Sequence, residues 1–236
     1  MRQIPLLLFM LPVLVLSASA SEQGRTVPGA WLDSLSVSVE QMRDLTDRSS
    51  MKIESTTHKI DKQGEVKEEL MSMHMWVEVL PDGTRKMWEI EPDGTRVKDE
   101  PQEVIEPGER DNEPRPLSVF SSKYRDRFAF VVTDRDAYGN PVVSVEPREK
   151  PGEDEFTFTG SVTVDTTRWV PVRLQGTMTP LPDKVKELEI DAYFGEDENG
   201  YWHQKEVVSK GVAKAMMVIT VRFRTVQRMY DWQVVR

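Results

Sequence analysis

The sequence predicts a mainly β protein: about ten antiparallel strands and one or two helices, in a strongly curved sheet. Three observations lead there. Hydrophobic residues alternate with polar ones, at period two, in segment after segment from Met51 onward. Turn residues of the Pro-Asp-Gly and Asx-Gly type separate those segments. One stretch near the N-terminus switches to helical spacing.

In chain order, Arg2 precedes an uninterrupted apolar run from Ile4 to Leu16, and small residues follow at Ser17-Ala18-Ser19-Ala20. Basic, apolar, small is the order of a secretory signal, with Ala18-x-Ala20 fitting the small pocket of a signal peptidase. The run is shorter than the roughly 20 residues of a bilayer span, and Pro5 and Pro12 weaken a long helix. The expectation is a signal peptide over 1–20 and one β-rich domain over 21–236. The mature chain is then exported, to the periplasm or beyond the cell, with no stable membrane span.

Next comes the helix. Leu35, Val39, Met42 and Leu45 recur at spacings of four and three within Trp31 to Asp47. Strands follow over Lys52 to Ile60 and Glu65 to Leu80, joined by a turn at Asp61-Lys-Gln-Gly64. In the second strand Met71, Met73, Met75, Val77 and Val79 share one face, and Ser72, His74, Trp76 and Glu78 the other. Pro81-Asp-Gly-Thr84 and Pro92-Asp-Gly-Thr95 close two successive hairpins. Lys98 to Pro116, rich in Asp, Glu and Pro, reads as a solvated connector. Leu117 to Arg127 reads as a short helix. Phe128 to Thr133 and Val142 to Val145 pair around Asp136-Ala-Tyr-Gly-Asn140. Strands are then expected around residues 156–164, 170–178, 188–194, 201–208 and 215–224. Short turns make an antiparallel meander the economical topology, and a helix laid inside the curl covers its concave apolar face.

Composition limits the chemistry. There is no cysteine, and the formal charge is −9. An acidic chain disfavours nucleic acid and anionic headgroups as partners. His58, His74 and His203 stand in no zinc-binding spacing, and no thiolate exists to assist them. No metal and no cofactor are expected. Asp134 to Val145 lacks the oxygen donors of a calcium loop, since Tyr138 and Val145 occupy two ligand positions. Glu196-Asp-Glu198 reads as a charged hairpin tip. There is no Gly-x-Ser-x-Gly elbow and no phosphate loop. The one unusual feature is the thioether stripe Met71, Met73, Met75, with Met216-Met217 in a later strand. Flexible, polarisable methionine suits surfaces that fit variable apolar ligands, and it also suits a core stripe under a helix.

Phe158-Thr-Gly160-Ser-Val-Thr-Val-Asp165-Thr-Thr167-Arg-Trp-Val-Pro171-Val-Arg173 resembles a stretch of the outer-membrane lipoprotein-sorting superfamily of periplasmic proteins. There, a Gly-x-x-x-x-Asp-x-x-Thr-x-x-Pro-like segment turns one strand into the next. The preceding helix and the early methionine-rich strands are in that superfamily's order. The resemblance implies an incomplete β-barrel wrapped over helix, with an apolar cavity for acyl chains. It implies that Met71, Met73, Met75 and Val77, with Met217, Ile219 and Val221, line that cavity. The acidic segment over 98–116 departs from a lipoprotein carrier. The resulting expectation is a non-catalytic protein that binds lipid or lipoprotein acyl chains. The alternatives are an envelope sensor that contacts proteins through strand edges and the acidic loop, and a carboxylate-based hydrolase. N-terminal sequencing of the exported protein is expected to begin at Ser21; a mature chain that retains Arg2 overturns the cleavage.

Overall fold

The computed structural model describes residues 24–109, 115–152, 155–181, 184–215 and 219–235. They form one antiparallel sheet of twelve strands that does not close into a barrel, with one α-helix packed on it. The strands are β1 (Arg25–Thr26), β2 (Ser49–Ile60), β3 (Val66–Val79), β4 (Arg85–Ile90), β5 (Glu103–Ile105), β6 (Phe128–Arg135) and β7 (Pro141–Pro147). They continue as β8 (Thr157–Asp165), β9 (Val170–Thr179), β10 (Val185–Glu196), β11 (Trp202–Ala215) and β12 (Ile219–Val234). Their order is β1-β6-β7-β8-β9-β10-β11-β12-β2-β3-β4-β5. Two meanders are thus joined where the last strand pairs with β2.

Helix α1 (Gly29–Asp47) matches the 3.6-residue pattern, and its Leu35, Val39 and Met42 are buried. They pack with Phe120, Phe130, Val162, Leu174, Ala192 and Val207 in the main core. Trp31 meets Trp169 edge to face at 5.4 Å, which ties the start of the helix to the β8–β9 turn. In that turn Asp165 Oδ1 accepts from the backbone N–H of Thr167 at 2.8 Å. The C-terminus of α1 carries Asp47, a poor place for an anion next to exposed carbonyls. Arg85 at 2.6 Å and Arg115 at 3.0 Å compensate. Burial pushes the Asp47 carboxyl up, but Arg115 and Arg85 together outweigh it and hold it below the usual carboxylate range.

The two Pro-Asp-Gly-Thr turns share one mechanism. Asp82 Oδ1 accepts from Thr84 N, and Asp93 Oδ1 from Thr95 N, each at 2.9 Å. Gly83 and Gly94 both take φ 90°, which L side chains resist.

Three expectations need correction. The 98–116 segment is not only solvated connector: Glu103–Ile105 pairs with β4, and Ile105 is buried. One apolar residue suffices to add an edge strand. The 117–127 stretch forms two 3-10 turns, Pro116–Phe120 and Arg125–Arg127, rather than one helix. Residues 215–224 are not one strand, because Ala215 ends β11, Ile219 begins β12, and the two face each other across the ladder. The connecting Met216-Met217-Val218, which lies outside the described residues, contains none of the usual turn formers, so periodicity ran straight through a hairpin.

Curvature has a local cause. Gly160 and Gly176 sit opposite each other on β8 and β9. A Cβ on Gly160 would lie 2.6 Å from the Gly176 Cα, and one on Gly176 would lie 2.7 Å from the Phe158 ring. A Cβ on Gly211 in β11 would lie 2.8 Å from the Phe223 ring. Backbones and rings approach this closely only where no side chain intervenes. Gly195, by contrast, has room: its Cβ would meet Lys205 at an ordinary 3.5 Å. Gly160→Ala is therefore expected to destabilise the fold by about 2–4 kcal/mol, and Gly195→Ala by less than about 1 kcal/mol. Urea unfolding of both variants reads the difference, and equal losses would remove the close approach as the source of curvature.

Candidate functional site

Register places residues on faces. Met73, Ser55, Gln227, Val207, Ala192, Leu174 and Val162 form one row across β3, β2, β12, β11, β10, β9 and β8. The last four belong to the core under α1. Met73 therefore lies on the concave face, and Met71, Met75, Val77 and Val79 share that face by alternation. Val221, opposite Ala213, also faces this way, as does the register position of Ile219. Met217 lies outside the described residues.

Burial along this face is graded. On β3, Val77 is 7% exposed, Met75 and Met73 are half-buried, and Met71 is 47% exposed. On β10, Phe194 and Ala192 are buried, whereas Ile190 and Leu188 are half-buried. On β9, Leu174 is buried and Met178 half-buried. The helix explains the gradient. Nineteen residues of α1 span about 28 Å at 1.5 Å per residue. The fourteen of β3 and sixteen of β12 reach about 46 and 53 Å. The strands outrun their cover.

At the uncovered end lies a cleft of about 730 Å³. It is bounded by the β2–β3 turn (Ile60 to Gly64), the end of β9 with Leu181, the start of β10, and the middle of β11. Residues of β2 and β9, with three strands between them in the sheet, border the same space because the sheet curls. Met178 and Leu188 line it from the concave face and Leu181 from the chain after β9, whereas Val212, Lys210 and Arg222 border it from the opposite face by alternation. None of Met71, Met73, Met75, Val77, Ile219 or Val221 borders the cleft itself. Met71 and Met73 lie along β3 between the covered core and the turn that bounds it. The lining on β9 and β10 was visible in the sequence as alternation at Leu188 and Met178. Nothing local in the sequence distinguished those residues from core.

The remaining polar groups among the described residues clasp strands and turns. On the opposite face Asp191 accepts two hydrogen bonds from Arg173, at 2.8 and 2.7 Å, and one from Tyr193 at 3.0 Å. This network clasps β9 to β10. Trp88 donates to Glu78 at 2.9 Å and lies under the Arg96 guanidinium, 3.6 Å from the ring centroid. His203, expected as a surface or strand-face residue, is fully buried. Its ring stacks on Trp232 at 4.0 Å, and its Nε2 lies 3.1 Å from Asp197 Oδ2. Asp197 Oδ1 also accepts the backbone N–H of Asn199 and Tyr201, fixing the β10–β11 turn. His203 Nδ1 has no partner. The pair lacks the nucleophile that would make it a relay, so it reads as a structural clasp. Among the described residues no group of three or more His, Asp or Glu is placed to hold a metal ion. Among them, too, no helix is long and apolar enough to cross a membrane.

Burial pushes the His203 imidazole down, and Asp197 only partly opposes it. The unfolded chain therefore takes up a proton below about pH 6.5 that the folded chain resists. Stability is full above that pH and falls as the pH drops below it. The urea midpoint is expected to decline between pH 7 and 5, and His203→Gln to flatten that decline. An unchanged slope in the variant would place the acid sensitivity elsewhere. Compared with known proteins, the chain matches no protein-family model and no curated sequence.

Proposed function

We propose that this chain is an exported, periplasmic, non-catalytic binding protein that holds a lipid or lipoprotein acyl chain on the uncovered part of its concave face. One observation carries the reading: on the concave face Met75 and Met73 of β3, Ile190 and Leu188 of β10 and Met178 of β9 lie beyond the fully buried core and are only half-buried, and Leu188 and Met178 border an open cleft of about 730 Å³. That volume lies in the ordinary range for small-molecule sites. Each methylene withdrawn from water contributes about 0.8 kcal/mol, so a partly buried chain of eight carbons gains roughly 6 kcal/mol. Methionines along the path keep rotamer freedom and accommodate chains of different length. The resemblance of residues 158–173 to the lipoprotein-sorting superfamily, and the signal-like N-terminus, point the same way.

Lipid mass spectrometry on gently purified protein tests the reading directly, and a co-purifying acylated molecule is the expected result. Substitutions then separate cavity from core. Met73→Glu is expected to fold, because water reaches a half-buried carboxylate, and to lose binding of a fluorescent fatty acid. Val77→Glu buries the charge at a cost of several kcal/mol, comparable with total stability, and is expected to unfold. If Met73→Glu unfolds as well, this face is dry core and the reading fails.

A further inference from the structure

The concave face is not apolar throughout. Beside the row that holds Met73, Ser55 and Gln227 runs a second, made of Gly176 on β9, Ile190 on β10, Ser209 on β11, Thr225 on β12, Thr57 on β2 and Met71 on β3. Five uncharged polar side chains, Ser55, Thr57, Ser209, Thr225 and Gln227, therefore stand together in the middle of the face. Met71 and Met73 flank them on one side, Ile190 and Ala192 on the other. Neither row contains a charged side chain. Along β11, Ser209 lies between Val207, which belongs to the core, and Gly211, which borders the cleft. Ser55 is buried, and Thr57, Ser209, Thr225 and Gln227 are half-buried. The Thr57 and Thr225 hydroxyls bond each other at 2.9 Å. Among the described residues, the side chains of Ser209 and Gln227 make no hydrogen bond.

That unmet capacity constrains what can lie here. Water serves a half-buried hydroxyl or amide. A hydrocarbon chain laid across it strips the water and returns no bond, and an unmatched polar group is costly. A purely apolar ligand is therefore a poor match to this stretch, although Leu188 and Met178, one step further along their strands, favour one. A charged group is a poor match too, since neither row offers it a counter-charge. An uncharged acceptor within an otherwise apolar molecule fits both demands. Ser209 and Gln227 are diagonal neighbours on adjacent strands, close enough for a long side chain to reach the same atom. A hydroxyl and an amide N–H both donate to a carbonyl oxygen.

We infer that the bound acyl group is an ester or amide, whose carbonyl oxygen is held by Ser209 and Gln227 and whose hydrocarbon chain runs on over Leu188 and Met178 toward the cleft. The inference rests on the acyl-binding reading and adds the linkage through which the chain is attached. The test compares an acyl methyl ester, an acyl N-methyl amide and an alkyl methyl ether of identical chain length, each displacing a fluorescent fatty acid from the mature protein. The ester or the amide is expected to bind at least about tenfold more tightly than the ether, a weaker acceptor, as one or two net hydrogen bonds provide. The tighter of the two names the linkage. Salt is expected to leave the preference unchanged, because no charge takes part. The variant S209A/Q227L is expected to fold, since neither side chain holds a hydrogen bond, and to bind all three compounds alike. Gln227→Leu alone is expected to lose most of the preference, and it carries the comparison if the double variant does not fold. An ether that binds the native protein as tightly as ester and amide, a preference that survives in the variants, or one that collapses at high salt overturns the linkage assignment and leaves acyl binding standing. Failure of all three compounds to displace the probe overturns acyl binding itself.

Discussion

A single helix cannot cover the inner face of a sheet whose longest strands are nearly twice its length, and much of the molecule follows from that mismatch. Where α1 lies, Leu35, Val39 and Met42 meet Leu174, Ala192 and Val207, and the face is dry. Beyond the helix the same alternation continues along β3, β9 and β10 without a partner. An apolar strand face in water is costly. The chain limits that cost by curling the sheet, so that the β2–β3 turn comes to border the same space as β9 and β10.

Curling needs a backbone that tolerates close approach. Gly160, Gly176 and Gly211 stand where strands or rings come within the distance a Cβ would occupy. The polar clasps then hold the curl in register. Arg173 and Asp191 join β9 to β10, the Thr57 and Thr225 hydroxyls at 2.9 Å join β2 to β12, and the Ser50 hydroxyl accepts the backbone N–H of Val79 on β3. Asp47 joins the end of α1 to β4 and to the chain that follows β5 through two arginines. Each clasp ties elements that are distant in sequence or that face different ways. Together they keep an open sheet from slipping, which a closed barrel would achieve by pairing its edges.

The charge distribution obeys a different logic from the fold. Carboxylates dominate the total, and on that total alone an anionic ligand looks unfavourable. Lys62, Lys186, Lys210 and Arg222 nevertheless border one cleft, together with Asp61, Glu187 and Glu189. Electrostatic attraction depends on local separation and falls within about 8 to 10 Å at ordinary salt. A net charge summed over the chain therefore says little about the mouth of one cleft.

The sequence by itself determined the elements. Helical spacing located α1, alternation located most strands, and glycine and aspartate placed the hairpin turns, because each depends on residues within a few positions of one another. It also placed Met71, Met73, Met75 and Val77 on one face, since side chains alternate along any strand. Tertiary structure alone decided which part of that face is covered. Val77 and Met71 belong to one alternating run, yet one is buried and the other half exposed, and only the three-dimensional packing around each separates them. The curl of the sheet decided that Lys62, Lys186, Lys210 and Arg222, scattered over 160 positions of sequence, border one cleft. Pairing between distant strands depends on the curl as a whole, and no local pattern encodes it.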